Sequence, residues 1–134
     1  YSFDPNNQIP IMTSDTAPSG IAYASAYLSG YNPYKAMNGQ LLSDADCWHN
    51  TEFVTTGQLG YYFANKLIIP TSYNLYSRLT GSGNAPKAWN LKGYDGNSWT
   101  ILDSQTNIIG WSDGVKRTFS IRCFAIKRSA LKFG

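Results

Sequence analysis

The chain is poor in charge: Asp, Glu, Lys and Arg make up 14% of its 134 residues, against roughly 25% in an average globular domain. Disorder is nevertheless excluded, because disordered chains lack aromatics and this one carries 10 Tyr, 6 Phe and 4 Trp. Cysteine is scarce. Cys47 and Cys123 permit one disulfide but make no framework, and nothing in the sequence fixes the distance between them. Neither stands in a C-x-x-C or C-x-x-H pair, which removes the commonest zinc sites. No apolar run approaches the ~20 residues of a membrane-spanning helix, so membrane insertion is not expected. No secretory-leader pattern is seen, and the compartment is not legible from targeting.

Catalytic vocabulary is thin as well. His49 is the single histidine, and no G-x-S-x-G elbow presents a serine to it. Gly81-Ser-Gly83 lacks the lysine and the following helix of a phosphate-cradling loop. A carboxylate pair for glycoside hydrolysis remains conceivable on residue types alone. Yet most acids sit in turn contexts such as Asp95-Gly96 and Asp113-Gly114, where carboxylates usually cap local amides. The chain reads as a non-enzyme.

The net charge of +3 is small but uneven: Lys116, Arg117, Arg122, Lys127, Arg128 and Lys132 all lie beyond Asp113, the last acid. Such a tail suits an anionic surface, or a basic strand pair docked on the rest of the protein. Alternation of Phe119, Ile121 and Cys123 favours the strand pair, and nucleic acid is not an expected partner.

What the chain does have is short alternating runs. Tyr73, Leu75, Ser77 and Leu79 alternate with Asn74, Tyr76 and Arg78, and Trp89 and Leu91 share a face of the next run. Asp95-Gly96 then makes a turn before Trp99-Thr-Ile-Leu-Asp103. Residues 21–28, 60–63, 66–69, 115–121 and 122–133 are further strand candidates. Gly, Pro, Asn and Ser separate the runs, no stretch carries helical periodicity, and no repeat or domain boundary interrupts the chain. The expectation is a single all-β domain over residues 1–134, an antiparallel sandwich or jelly roll.

Several segments together resemble the F5/8 type C (discoidin-like) domains of the galactose-binding-like class, which include family 32-type carbohydrate-binding modules. Tyr34-Lys-Ala-Met-Asn-Gly39 followed by Cys47-Trp48-His49-Asn50 is similar to the family's "A-x-D-G … W-H-S" stretch. Leu59-Gly-Tyr-Tyr-Phe63 leads into Lys66-Leu-Ile-Ile69 in the same order as the family's strands. Ala85-Pro-Lys-Ala-Trp-Asn-Leu-Lys-Gly-Tyr-Asp-Gly-Asn-Ser-Trp-Thr-Ile-Leu-Asp103 resembles the core "P-x-x-W/F-x-L-x-G-S-x-D-G-x-x-W-x-x-L-D" and is the most specific match. Pro10-Ile-Met-Thr-Ser-Asp-Thr-Ala-Pro-Ser-Gly20 looks like versions in bacteriophage tail and receptor-binding proteins. The C-terminal segment departs from the family's "N…Y-x-Y-x-R" ending.

The resemblance implies an antiparallel jelly roll of about eight strands with its ligand site in loops at one end. Galactose-binding members use a His just after the first Trp, an Arg further along and an Asn beyond it; His49, Arg78 and Asn84 hold those places. Sugar hydroxyls both donate and accept, so a ring nitrogen, a guanidinium fork and an amide suit them. An aromatic face packs on the sugar's C–H patch, and Phe53 or Trp111 would supply it. Each has a plainer reading: His49 packed on Trp48, Arg78 solvated or paired on a strand face, Asn84 a turn residue. Trp48, Trp89 and Trp99 match core positions of the pattern, while Trp111 in Gly110-Trp-Ser-Asp-Gly114 reads as the most exposed aromatic. The resemblance also implies a structural calcium in the loop where Asn38 replaces the family's Asp, with Asp44 and Asp46 near enough to help.

The functional expectation is a non-catalytic module that recognises cell-surface glycans, on a phage virion tail or receptor-binding protein and hence virion-borne or extracellular. Two alternatives stand beside it: a structural virion tail-fibre or decoration module binding protein neighbours, and the glycan-targeting module of a secreted bacterial glycosidase.

Overall fold

A computed structural model of the chain describes residues 7–64, 66–80, 82–121 and 130–133. Its elements are β1 (Ile21–Ala24), a 3-10 turn η1 (Pro33–Met37), β2 (Leu59–Tyr62), β3 (Ser72–Tyr76), a second 3-10 turn η2 (Ser82–Asn84), β4 (Trp89–Tyr94), β5 (Trp99–Gln105), β6 (Lys116–Ser120) and β7 (Ala130–Phe133). The fold is all-β and antiparallel. Among the described residues there are seven strands, forming a five-stranded sheet in the order β1-β2-β7-β4-β5 and a two-stranded sheet β3-β6.

Alternation explains which face each strand turns inward. Ala22 pairs with Tyr61 across β1 and β2, and both are buried; their neighbours Ile21 and Tyr62 also pair and are exposed. Leu91 of β4 is fully buried, while Tyr94 and Trp99 pair on the opposite, outer face with ring centroids 4.9 Å apart. Trp99 is therefore not a core residue, contrary to the expectation from its place in the motif: it is 43% exposed. Trp89 and Trp48 are half-buried, and Trp48 donates its indole N–H to the Ala26 carbonyl at 3.1 Å.

A β-bulge at Leu91/Lys92 shifts the β4–β5 register, so that Leu91 faces Asp103 and Lys92 faces Ile101. Leu102 is the extra residue, and it is buried. Asp103 also reaches inward, accepting a hydrogen bond from the Tyr73 hydroxyl of the other sheet at 2.5 Å. The Trp89 indole donates to the same hydroxyl at 2.8 Å, and the Phe119 ring stacks on Tyr73 at 5.3 Å. The sheets thus meet through a polar knot wrapped in aromatics. Met12, Phe63 and Ile68, from segments flanking the strands, complete the core.

The segment before β1 is held down by Asp15. Its carboxylate accepts the Tyr34 backbone N–H at 3.0 Å at the start of η1, and its carbonyl accepts that of Ala22 at 2.7 Å. Two expected strands differ. Residues 66–69 alternate like a strand, with Ile68 buried and Leu67 and Ile69 exposed, but form no ladder among the described residues. The run at 21–28 pairs only as far as Ala24. Of the run at 122–133, Ala130–Phe133 is a strand; residues 122–129, with Cys123, Arg122, Lys127 and Arg128, lie outside the described residues.

Candidate functional site

Three loops converge where β3 ends and β6 begins. Ser77, just past β3, is almost wholly buried. Its hydroxyl donates to the Ser112 carbonyl and accepts the Val115 backbone N–H. The next carbonyl, that of Arg78, accepts the Gly114 N–H at 2.8 Å. These bonds tie the β5–β6 loop to the start of the β3–β4 loop. The third loop runs from η1 to β2. Asp44 accepts the Thr80 backbone N–H at 2.8 Å and the Thr80 hydroxyl at 2.5 Å. The Thr80 hydroxyl bond, with the Thr80 amide and the charge of Arg78 behind it, holds the Asp44 carboxyl below its ordinary range.

Arg78 is half-buried and donates from Nε to the Asp44 carbonyl at 3.1 Å. Among the described residues no hydrogen bond engages its two terminal nitrogens, which carry donors in one plane. The same Asp44 carbonyl takes the Cys47 thiol at 3.3 Å. Burial, before any neighbouring charge, pushes the Cys47 thiol up, and it is a free cysteine.

His49 packs edge-on against Tyr31 with ring centroids 5.4 Å apart, and not on Trp48. Its Nδ1 lies 2.5 Å from the Asn50 carbonyl. A carbonyl only accepts, so the neutral ring carries its proton on Nδ1 and keeps an acceptor lone pair on Nε2. Main-chain bonds to Leu28 and Tyr31 fix the residue's place. Asn84 ends η2 and is exposed. Among the described residues, no hydrogen bond or ring contact joins His49, Arg78 and Asn84 to one another.

Of the two aromatic candidates, Trp111 is less exposed than expected and Phe53 stands open. Trp111 is half-buried; its indole N–H donates to the Pro86 carbonyl at 3.0 Å, and Arg117 lies over its ring at 4.9 Å. Arg117 is itself held by a 2.8 Å bond to the Ile109 carbonyl. One face of the expected platform is therefore covered. Phe53 is the opposite case, 100% exposed and at φ 62°, a backbone region that bulky side chains rarely adopt. It stands at the tip of a loop closed by a 2.6 Å bond from the Asn50 amide to the Thr56 carbonyl.

The residues expected to hold calcium do not fit it. The Asn38 side-chain nitrogen donates to Asp46 Oδ1, Asp46 Oδ2 accepts the Leu42 N–H at 3.0 Å, and both oxygens of Asp44 are engaged by Thr80. Each carboxylate oxygen already receives a hydrogen, and the Asn38 amide turns a donor into the place where an ion would need oxygen. Among the described residues no three His, Cys, Asp or Glu side chains gather into a metal-binding group.

Ser77, Thr80 and Arg117 shape this end of the molecule and were not among the sequence candidates. Ser77 sits inward in the alternation of β3, which was the available signal. Thr80 and Asp44 are 36 positions apart, a separation no local pattern reveals. No protein-family model matches the chain, and no curated protein does.

Proposed function

We propose that this chain is a non-catalytic carbohydrate-binding module of the galactose-binding-like jelly-roll type, recognising cell-surface glycans from a phage tail or receptor-binding protein. The observation that carries the reading is Arg78, a guanidinium anchored at a meeting point of loops and, among the described residues, through Nε alone. Two in-plane donors at fixed spacing suit vicinal sugar hydroxyls, which would lose water and need partners on binding. In this reading the His49 Nε2 lone pair and the Asn84 amide add an acceptor and a mixed group, and Phe53 supplies the aromatic face. So few polar groups on an open surface give weak single-site affinity, and the virion supplies many copies.

The test is a glycan array probed with the chain displayed multivalently. Retention of galactose-type glycans by the wild type, lost in Arg78→Ala at unchanged folding, is the expected result. Binding that survives Arg78→Ala places the site elsewhere.

A second reading, a structural virion module binding protein neighbours, draws support from the outer face of the five-stranded sheet. Ile21 and Tyr62 are exposed towards one edge of it and Trp99 and Ile101 towards the other, apolar side chains that a protein neighbour would cover. An array without any bound glycan, together with measurable affinity for a purified virion protein, selects this reading.

A further inference from the structure

The chain between η1 and β2 turns over residues 38–46; the Asp46 N–H donates to the Ser43 carbonyl at 3.0 Å, the Lys35 ammonium reaches the Ala45 carbonyl at 3.5 Å, and the Asn38 amide joins the two ends of the turn. Asn38 is 8% exposed. Its Oδ1 accepts the Gln40 backbone N–H at 3.0 Å. A backbone N–H requires an acceptor, so this bond fixes the orientation of the amide and aims its nitrogen at Asp46. Asp46, at the far end of the turn, then receives hydrogens on both oxygens, from the Asn38 amide at the start and the Leu42 N–H at the middle. The positive ends of two N–H bonds stand where a bridging ion would carry its charge.

We propose that the Asn38 amide takes the place of a bound cation in this turn, making its closure independent of divalent metal, and that the single change Asn38→Asp converts the turn to one that requires a positive charge. The substitution exchanges the donating nitrogen for an oxygen at hydrogen-bond distance from Asp46 Oδ1. Two carboxylate oxygens that close cannot both stay ionised, so the pair must share a proton or take up a hard cation. Asp44 plays no part, because Thr80 occupies both of its oxygens. The inference does not depend on whether the module binds glycans.

Thermal unfolding of the full chain in excess calcium chloride and in chelator tests both halves. The wild-type midpoint is expected to be the same in the two buffers, within about 1 °C. Asn38→Asp is expected to melt at least about 5 °C lower than the wild type in chelator at neutral pH. Calcium, or acidification enough to protonate one carboxylate, should each restore most of that loss. Asn38→Ala, which removes the donor without adding charge, should melt low in both buffers. If Asn38→Asp does not fold in chelator, recovery of its circular dichroism on adding calcium is the same result. A wild-type midpoint that rises with calcium overturns the proposal, as does an Asn38→Asp variant that is indifferent to calcium.

Discussion

The Nε of Arg78 donates to the backbone carbonyl of Asp44 at 3.1 Å, so the side chain of one loop is held by the main chain of another. A carbonyl partner leaves the fork open, whereas a carboxylate bonded to it would close it; the nearby Asp44 carboxylate is bonded to Thr80 and meets Arg78 through charge. In the proposed reading, binding and loop order are therefore linked at this residue.

Replacing Arg78 separates them. Arg78→Ala should lower affinity for a bound glycan at least tenfold, since sugar hydroxyls left without partners cost about 1–3 kcal/mol. Arg78→Lys should recover little, because an ammonium cannot hold the Asp44 carbonyl and present two coplanar donors together. Titration calorimetry against a multivalent glycan gives the affinity, and denaturant unfolding checks that the fold persists.

Trp111 should behave as a structural residue. Trp111→Phe removes the bond to Pro86 and is expected to cost about 1 kcal/mol of stability with glycan binding retained. Its ring and Arg117 should show a coupling of about 0.5–1 kcal/mol in a double-mutant cycle. Loss of glycan binding at unchanged stability in Trp111→Phe would return this residue to the ligand site.

Alkaline pH should act through Tyr73. Burial first, and then its hydrogen bond to the Asp103 carboxylate, raise this phenol above its ordinary 10.0. The folded state holds the proton more tightly than the unfolded chain does. The contribution is therefore complete below pH 10.0 and is lost as pH rises beyond it. Tyr73→Phe leaves Trp89 and Asp103 each short of a partner, a loss of about 1–3 kcal/mol at neutral pH. The gap between the two proteins in urea unfolding should narrow as pH climbs past 10.0.

Acid should loosen the loop junction. Asp44 titrates below its ordinary 3.8, first because of the Thr80 hydroxyl. The stabilisation is whole above 3.8 and disappears as pH falls through the lowered value of the folded state. Carbon-13 NMR of the Asp44 carboxyl should report a midpoint under 3.8 in the wild type, moving upward in Thr80→Ala.

Gly20 is the most demanding backbone position. At φ 72°, an added Cβ would stand 2.3 Å from the Tyr61 hydroxyl and 2.4 Å from the Tyr62 carbonyl. Tyr61 is buried and its hydroxyl is already bonded to the Ser19 carbonyl. Gly20→Ala should therefore cost about 2 kcal/mol or more, from strain and steric displacement together. A midpoint unchanged in guanidinium unfolding would contradict this placement.

The strands were readable where one face is buried and the other is not. Alternation around Tyr73, Trp89 and Leu91 anticipated β3 and β4, and Asp95-Gly96 anticipated the turn into β5: Gly96 has φ 95° and the Asp95 carboxylate accepts the Asn97 and Ser98 N–H groups at 2.8 Å. At residues 66–69 the alternation is present but no ladder forms among the described residues, because a strand also needs a neighbour and pattern says nothing of neighbours. The family pattern put Trp99 in the core, but both faces of β5 carry apolar residues, and the bulge at Leu102 decides which of them turns inward. Asp103 went unrecognised as an inward group for the same reason. At the site, residue types drew attention to Arg78, but its partner Asp44 is 34 positions away. Trp111 looked exposed between turn residues, since neither Pro86 nor Arg117 can be inferred from that pentapeptide.

The place of β7 has a consequence for how the chain is made. It follows the other described strands in sequence, yet lies between β2 and β4, pairing Gly60 with Lys132 on one side and Lys92 with Lys132 on the other. As the polypeptide leaves the ribosome, β1-β2 and β4-β5 can each form, but both present an open edge to solvent until β7 arrives. Vectorial synthesis thus leaves two unsatisfied templates waiting for one keystone. A truncated or stalled product exposes both, and is the species most prone to pair with a second copy of itself.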